Sequence, residues 1–151
     1  MKIILAGGSG QVGTLLARAF HARGDDVVVL SRRPAAAVHG PWRAAPWDSG
    51  EIDGSDVVIN LAGRSVDCRY TAANRAEILS SRVDSTLALG RAIAAAKNPP
   101  RLWLQSSTAT IYAHRYDAPN DEFTGIIGGG EPNAPSTWRF SIEVEIGRAH
   151  V

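Results

Sequence analysis

The chain has 151 residues, 44% of them hydrophobic, which suits one domain with a sizeable core. No apolar run approaches the roughly 18–20 residues that a membrane span needs, and a single Lys2 before Ile3-Ile4-Leu5 is too short for a secretory signal, so the expectation is a cytoplasmic protein with no membrane partner. Sixteen basic and fifteen acidic residues leave a net charge of +1, which offers no electrostatic footprint for nucleic acid, and a lone cysteine, Cys68, excludes a disulfide framework and a multi-cysteine metal site.

In chain order, Lys2–Ala6 is a short apolar run bounded by glycines and reads as a buried strand. From Gln11 to Arg23, apolar Val12, Leu15, Leu16, Ala19 and Phe20 recur at helical spacing, and Gly24 stands where such a helix stops. A second β-branched strand covers Val27–Leu30, residues 34–55 read as loop with a weak third strand at Trp42–Trp47, and Asp56–Leu61 is a fourth. The proline-free stretch from Thr71 to Lys97 predicts one long helix or two, with Leu79, Val83, Leu87 and Gly90 on one face, ended by Asn98-Pro99-Pro100. Arg101–Gln105 is a fifth strand, leading into Ser106-Ser107-Thr108; residues 113–137 read as a loop of the kind that forms a lid or substrate loop. Apolar strands alternating with helices imply an α/β fold: a Rossmann-type doubly wound parallel sheet.

The tail needs separate treatment. Glu145 to Val151 interrupts what reads as a starting helix, and Ile146-Gly147-Arg148-Ala149-His150-Val151 resembles a translated sequencing-adapter read-through. The expectation is a Rossmann domain over residues 1–144, incomplete at its C-terminus, and a non-native tail over 145–151; the alternative is an ordinary polar tail.

Between the first strand and first helix lies Gly7-Gly8-Ser9-Gly10-Gln11-Val12-Gly13. Gly7 suits a tight turn, Gly10 lets backbone approach a pyrophosphate, and Gly13 permits close packing of helix on sheet, with the N–H groups at Gln11 and Val12 facing the phosphate charge. The alternative is a glycine turn without a ligand. Ser31-Arg32-Arg33 ends the second strand, where an acidic residue would bind the ribose 2′-hydroxyl of NAD. A hydroxyl and two guanidiniums suit the 2′-phosphate of NADP instead, although NAD stays possible; the bland reading is a solvated basic loop.

Gly7–Gly13, Asn60-Leu61-Ala62-Gly63, Ser81–Thr86 (SRVDST) and Ser106–Tyr112 (SSTATIY) together resemble the extended short-chain dehydrogenase/reductase superfamily. The similarity is greatest to its atypical epimerase-like branch, the NAD(P)-dependent epimerase family proteins of the SDR39U type, and it covers residues 1–144. The glycine motif is widely shared, whereas NLAG followed by RYTAANRAEILSSRV is specific to that branch, whose members run longer and carry a C-terminal substrate-side segment. The resemblance implies that Asn60, Leu61, Ala62 and Gly63 line the cofactor, that Asp48 approaches its adenine, and that Arg82 replaces the Asn of NVxGT. It also implies that Thr108, with Ser107 as neighbouring alternative, supplies the hydroxyl that bonds a reacting oxygen; the alternative is that both cap a strand end.

One departure bears on activity. Superfamily catalysis uses Tyr-x-x-x-Lys, in which the lysine lowers the phenol pKa. Here Asn74, Tyr116 and Asn120 follow Tyr70, Tyr112 and Tyr116 by four, no lysine follows Lys97, and the expected window, residues 133–142, lacks the pair. Two readings follow: an epimerase/dehydratase-like oxidoreductase on a small hydroxylated or carbonyl substrate, or a non-catalytic NADP-binding sensor or scaffold. Arg64, Arg69, Arg75 and Arg82 could bind an anionic substrate or cofactor phosphates, or cover a helix face. His114 and the Asp121-Glu122 pair read as solvated loop groups, and Cys68 as a buried inert thiol.

Overall fold

The computed structural model describes residues 1–37, 40–48, 50–132 and 135–149, the side chains of 136, 137, 148 and 149 excepted. Asn133 and Ala134 of the window inspected for Tyr-x-x-x-Lys, and His150 and Val151 of the tail, lie outside the described residues. The chain forms two compact units, 1–106 and 107–151.

In the first unit, strands β1 (Lys2–Ala6), β2 (Asp26–Leu30), β3 (Arg43–Ala45), β4 (Val57–Asn60) and β5 (Leu102–Gln105) form one sheet in the order β3-β2-β1-β4-β5. Every pairing is parallel, with Ile3 opposite Val27 on one side and Val57 on the other. Helix α1 (Gln11–Ala22) packs Ala17, Leu16 and Phe20 against Ile3, Leu5, Val27 and Val29. Helix α3 (Ala72–Ala95) packs Leu89, Ala92 and Ile93 against Ile4, Val28 and Val58. Alternate residues of β1 and β2 thus enter two cores on opposite faces, which is why these strands are apolar at every position. The strand order reverses at β1, so the crevice beyond the carboxyl ends of β1 and β4 is the switch point at which such sheets bind ligands.

Three details differ from the periodicity. A four-residue helix, α2 (Pro34–Ala37), opens on a proline suited to a first helical position in a stretch that reads as loop. On α1, Val12 and Leu15 are 60% and 58% exposed, because the packed stripe runs through Gly13, Leu16, Ala17 and Phe20. A Cβ on Gly13 would stand 2.3 Å from the Gly8 carbonyl oxygen, and this approach fixes the rotation of the helix. On α3 the buried stripe is Ile78, Thr86 and Leu89, whereas Leu79 is exposed. The helix is single; the Thr71 hydroxyl accepts from the Asn74 N–H at 3.2 Å to cap its start.

In the second unit, a short 3₁₀ turn (Ala109–Ile111) is followed by a bridge between Tyr112 and Ile127 and by helix α4 (Ser136–Ala149). α4 runs without a break through 144 and 145 to Ala149, so the described part of the tail does not interrupt it; Glu145, Ile146, Arg148 and Ala149 are ordinary helix residues that carry Gly147 at a cost of about 1 kcal/mol.

Candidate functional site

The site is built where β1 turns into α1. Gly7 takes φ +70°, its N–H donates to the Leu30 carbonyl at 2.9 Å, and the Gly8 N–H returns to Leu5 at 3.1 Å. A Cβ on Gly7 would stand 2.7 Å from the Ala62 Cα, so this turn lies directly against the loop that follows β4. Gly10 is the N-cap of α1: no side chain caps the helix, and its first turn holds no acidic residue. The first intrahelical bond is Thr14 N–H to the Gly10 carbonyl at 2.9 Å, which leaves the N–H groups of Gln11, Val12 and Gly13 ahead of the ladder. Nothing lies within 4 Å of a Cβ placed on Gly10, so an anion has open access to this helix end.

At the end of β2, Ser31 N–H donates to the Ala45 carbonyl and Ser31 Oγ accepts from the Arg33 N–H at 3.1 Å. Arg32 and Arg33 are exposed, and neither guanidinium has a partner among the described residues. Asp48 is exposed beyond β3, at the edge of an open groove of about 320 Å³ that it lines with Trp47, Ile52, Asp53 and Ala92.

The loop after β4 forms the facing wall, and polar bonds hold it. Asn60 is fully buried, and its side chain organises the wall from within. Its Oδ1 accepts from the Ala62 N–H at 3.0 Å, while its Nδ2 donates to Gln105 Oε1 at 3.1 Å and more weakly to the hydroxyls of Thr86 and Ser85. Those hydroxyls donate onward to the Arg82 carbonyl at 2.9 and 2.8 Å, which completes a buried network. Leu61 and Ala62 are half-buried and Gly63 is exposed. The Arg82 guanidinium donates to the carbonyls of Arg64 and Ile78, both at 3.1 Å. Arg64 bonds Asn74 Oδ1 at 2.9 Å and pairs with Glu77. Cys68 is half-buried rather than buried, 3.9 Å from the Ser65 carbonyl, because its loop runs over the surface.

Ser107 and Thr108 belong to the second unit and are exposed. Ser107 Oγ donates to Glu145 Oε2 at 2.8 Å, a partner inside the 145–151 tail. Thr108 Oγ1 caps the 3₁₀ turn, accepting from the N–H and the hydroxyl of Thr110, both at 3.3 Å. Both bonds use lone pairs, so the Thr108 proton stays available for donation while that of Ser107 is engaged. His114 is exposed, its ring 4.8 Å from Tyr116 and 5.2 Å from Trp138. Asp121 is not merely solvated: its Oδ1 accepts from the N–H groups of Phe123 and Thr124 and from the Thr124 hydroxyl, which hold its carboxyl below the usual range.

A parallel sheet with a bare, glycine-lined helix N-terminus at its switch point defines a nucleotide-cofactor-binding α/β protein. The sequence profile of the NAD dependent epimerase/dehydratase family matches residues 3–135, and the chain belongs to that family. It is 37% identical over 128 residues to the bovine (Bos taurus) epimerase family protein SDR39U1, a match covering 81% of this chain and 42% of the relative. The epimerase family protein YfhF of Bacillus subtilis is 33% identical over 118 residues, 74% of this chain and 39% of the relative. Among solved structures, human epimerase family protein SDR39U1 (isoform 2) with NADPH superposes with a TM-score of 0.79 at 29% identity, over 99% of this chain and 48% of that one. The chain therefore spans less than half the length of these relatives.

Proposed function

We propose that the chain is the cofactor-binding part of an NADP-dependent, epimerase/dehydratase-like oxidoreductase of the cytoplasm, acting on a small hydroxylated or carbonyl substrate. The observation that carries this reading is the uncapped α1 N-terminus, free of acidic residues, together with two exposed guanidiniums at the end of β2 that have no partner among the described residues. The residues present fit the cofactor: the N–H groups of Gln11, Val12 and Gly13 would hold the pyrophosphate, Arg32 and Arg33 the 2′-phosphate with Ser31 assisting, and Leu61, Ala62 and Gly63 the facing wall. The human relative with NADPH supports the same choice. When bound, the nicotinamide accepts or delivers a hydride. Thr108 donates its free hydroxyl proton to the substrate oxygen, polarising it; Ser107, already bonded to Glu145, is the less suited of the two.

A non-catalytic NADP-binding sensor or scaffold is the second reading, favoured by one specific observation. No tyrosine is followed four residues later by a lysine, so the usual phenol acid/base is missing from the chain.

Fluorescence titration with NADPH and NADH tests the cofactor assignment. Two charge-assisted contacts to the 2′-phosphate predict about 10- to 100-fold tighter NADPH binding, abolished in an Arg32→Ala/Arg33→Ala double variant. Equal affinities in the parent, or a preference that survives the double substitution, refute it. Cofactor turnover with a panel of carbonyls and sugars separates enzyme from sensor.

A further inference from the structure

We infer that Ser81 and Arg82 of α3 clamp the backbone of Gly63 and Arg64, which makes Arg82 a positioning residue for the β4-side wall of the cofactor crevice rather than a phosphate ligand. The inference rests on the cofactor reading above only for what the wall encloses. Both backbone groups of Arg64 are held from α3: its N–H donates to Ser81 Oγ at 2.9 Å, and its carbonyl accepts from Arg82 Nη1 at 3.1 Å. The same Nη1 and the Ser81 hydroxyl both donate to the Ile78 carbonyl, each at 3.1 Å, which locks the two side chains to their own helix. The Arg64 side chain meets Asn74 and Glu77. The gripping residues are thus Asn74, Glu77, Ile78, Ser81 and Arg82, spaced i, i+3, i+4, i+7 and i+8 on one helix face.

Gly63 completes the fit. A Cβ there would stand 3.0 Å from Arg82 Cζ and 3.2 Å from Nη1, so any side chain at position 63 would push the guanidinium back by a few tenths of an ångström. The adjoining Ala62 is the residue packed on Gly7, so the clamped segment directly follows the contact with the phosphate-binding turn. Both carbonyls are reached from the one Nη1, so a lysine ammonium, itself a three-donor group, would keep part of the clamp.

The test uses the full chain with Arg82→Met, Arg82→Lys and Gly63→Ala, reading amide exchange at residues 62–64 and competition for the site by NADPH and by inorganic pyrophosphate. A clamp predicts faster exchange at 62–64 in Arg82→Met, with less change in Arg82→Lys. It also predicts about tenfold weaker NADPH binding, the scale of one charged hydrogen bond, with pyrophosphate competition unchanged. Gly63→Ala should weaken NADPH in the parent and add nothing in the Arg82→Met background, since the group it displaces is gone. Pyrophosphate weakening as much as NADPH would make Arg82 a phosphate ligand, and unchanged exchange would remove the clamp. Either result overturns the inference. Should Arg82→Met fail to fold, exchange in Arg82→Lys and Gly63→Ala decides. A parent that binds neither probe refutes the cofactor reading, while the exchange measurement still judges the clamp.

Discussion

The two units hold their backbones by different means. In residues 1–106, side-chain hydrogen bonds join distant parts of the chain: Lys2 to Asp56 across 54 positions, Asn60 to Gln105 and Asn98 to Asp53 across 45. In residues 107–151 most are local, Thr108 to Thr110 and Arg115 to Asp117 across two positions and Asp121 to Thr124 across three, with Ser107–Glu145 and His114–Glu131 the longer exceptions. Long-range bonds over a two-faced core make each residue's position depend on the whole unit. Local bonds shape a loop without tying it to anything else. A crevice that must keep its form before ligand arrives is better built from the first kind.

The largest break in that comparison should come at Gly13. A Cβ there meets Gly8 oxygen, Cα and carbonyl carbon at 2.3–2.5 Å, all backbone, so either α1 or the phosphate turn must move. Gly13→Ala is expected to destabilise the first unit by about 3 kcal/mol and to abolish NADPH binding. Gly10→Ala is the control, since a Cβ there meets nothing within 4 Å and its backbone is extended; its cost should stay below about 1 kcal/mol. Thermal melts of the two variants check this, and equal losses would show that the close approach is not what matters.

Asn60 comes next. Asn60→Leu removes the bonds to Gln105 Oε1 and to the Ala62 N–H from a half-buried wall, for an expected loss of about 2 kcal/mol. Asp121→Ala, which breaks three bonds of its own loop, should leave the melting of the first unit unchanged and accelerate amide exchange only at Phe123 and Thr124. If both variants melt alike, the distinction between distant and local bonding fails.

The same distinction explains what the sequence discloses. β1, β2 and β4 are legible because burial on both faces demands apolar residues at every position. The glycine turn is legible because its spacing answers a steric need of the backbone. The facing of the helices is not. Val12 and Leu15 extend the apolar stripe of α1 beyond what packs, and contact of Gly13 with Gly8 selects the rotation. On α3 the buried face is polar at Arg82, Ser85 and Thr86, so tracing hydrophobicity leads to Leu79 and Val83 instead. The signal for the true face lies in the polar residues themselves, which recur at helical spacing opposite Asn60. β5 is apolar yet exposed, Leu102 by 46% and Leu104 by 45%, so an apolar run identifies a strand without saying what covers it. Asp121 and the four-residue α2 escape because local turn chemistry leaves no period to follow.

Acid should separate the units most gently. In the first, the Asp25 carboxyl is held below its ordinary 3.8 by hydrogen bonds from the N-terminal ammonium and from Arg23, at 3.0 and 2.6 Å. Glu51 is lowered likewise by Arg43 and Lys2. In the second, Arg115 draws Asp117 down to about 2. All three are depressed in the folded chain, so the stability they confer is fully present above the ordinary carboxylate range. It fades as pH falls through that range toward each folded value. Asp25 joins the start of β1 to the turn before β2, so its protonation loosens the sheet, whereas Asp117 bonds only within its loop. Asp25→Asn should therefore flatten the fall in melting temperature between about pH 5 and 3, the interval in which an ordinary aspartate takes up its proton. Asp117→Asn should leave that fall unchanged. Melting curves across the interval check both, and a flattening with Asp117→Asn would mean that the second unit's local bonds contribute to global stability after all.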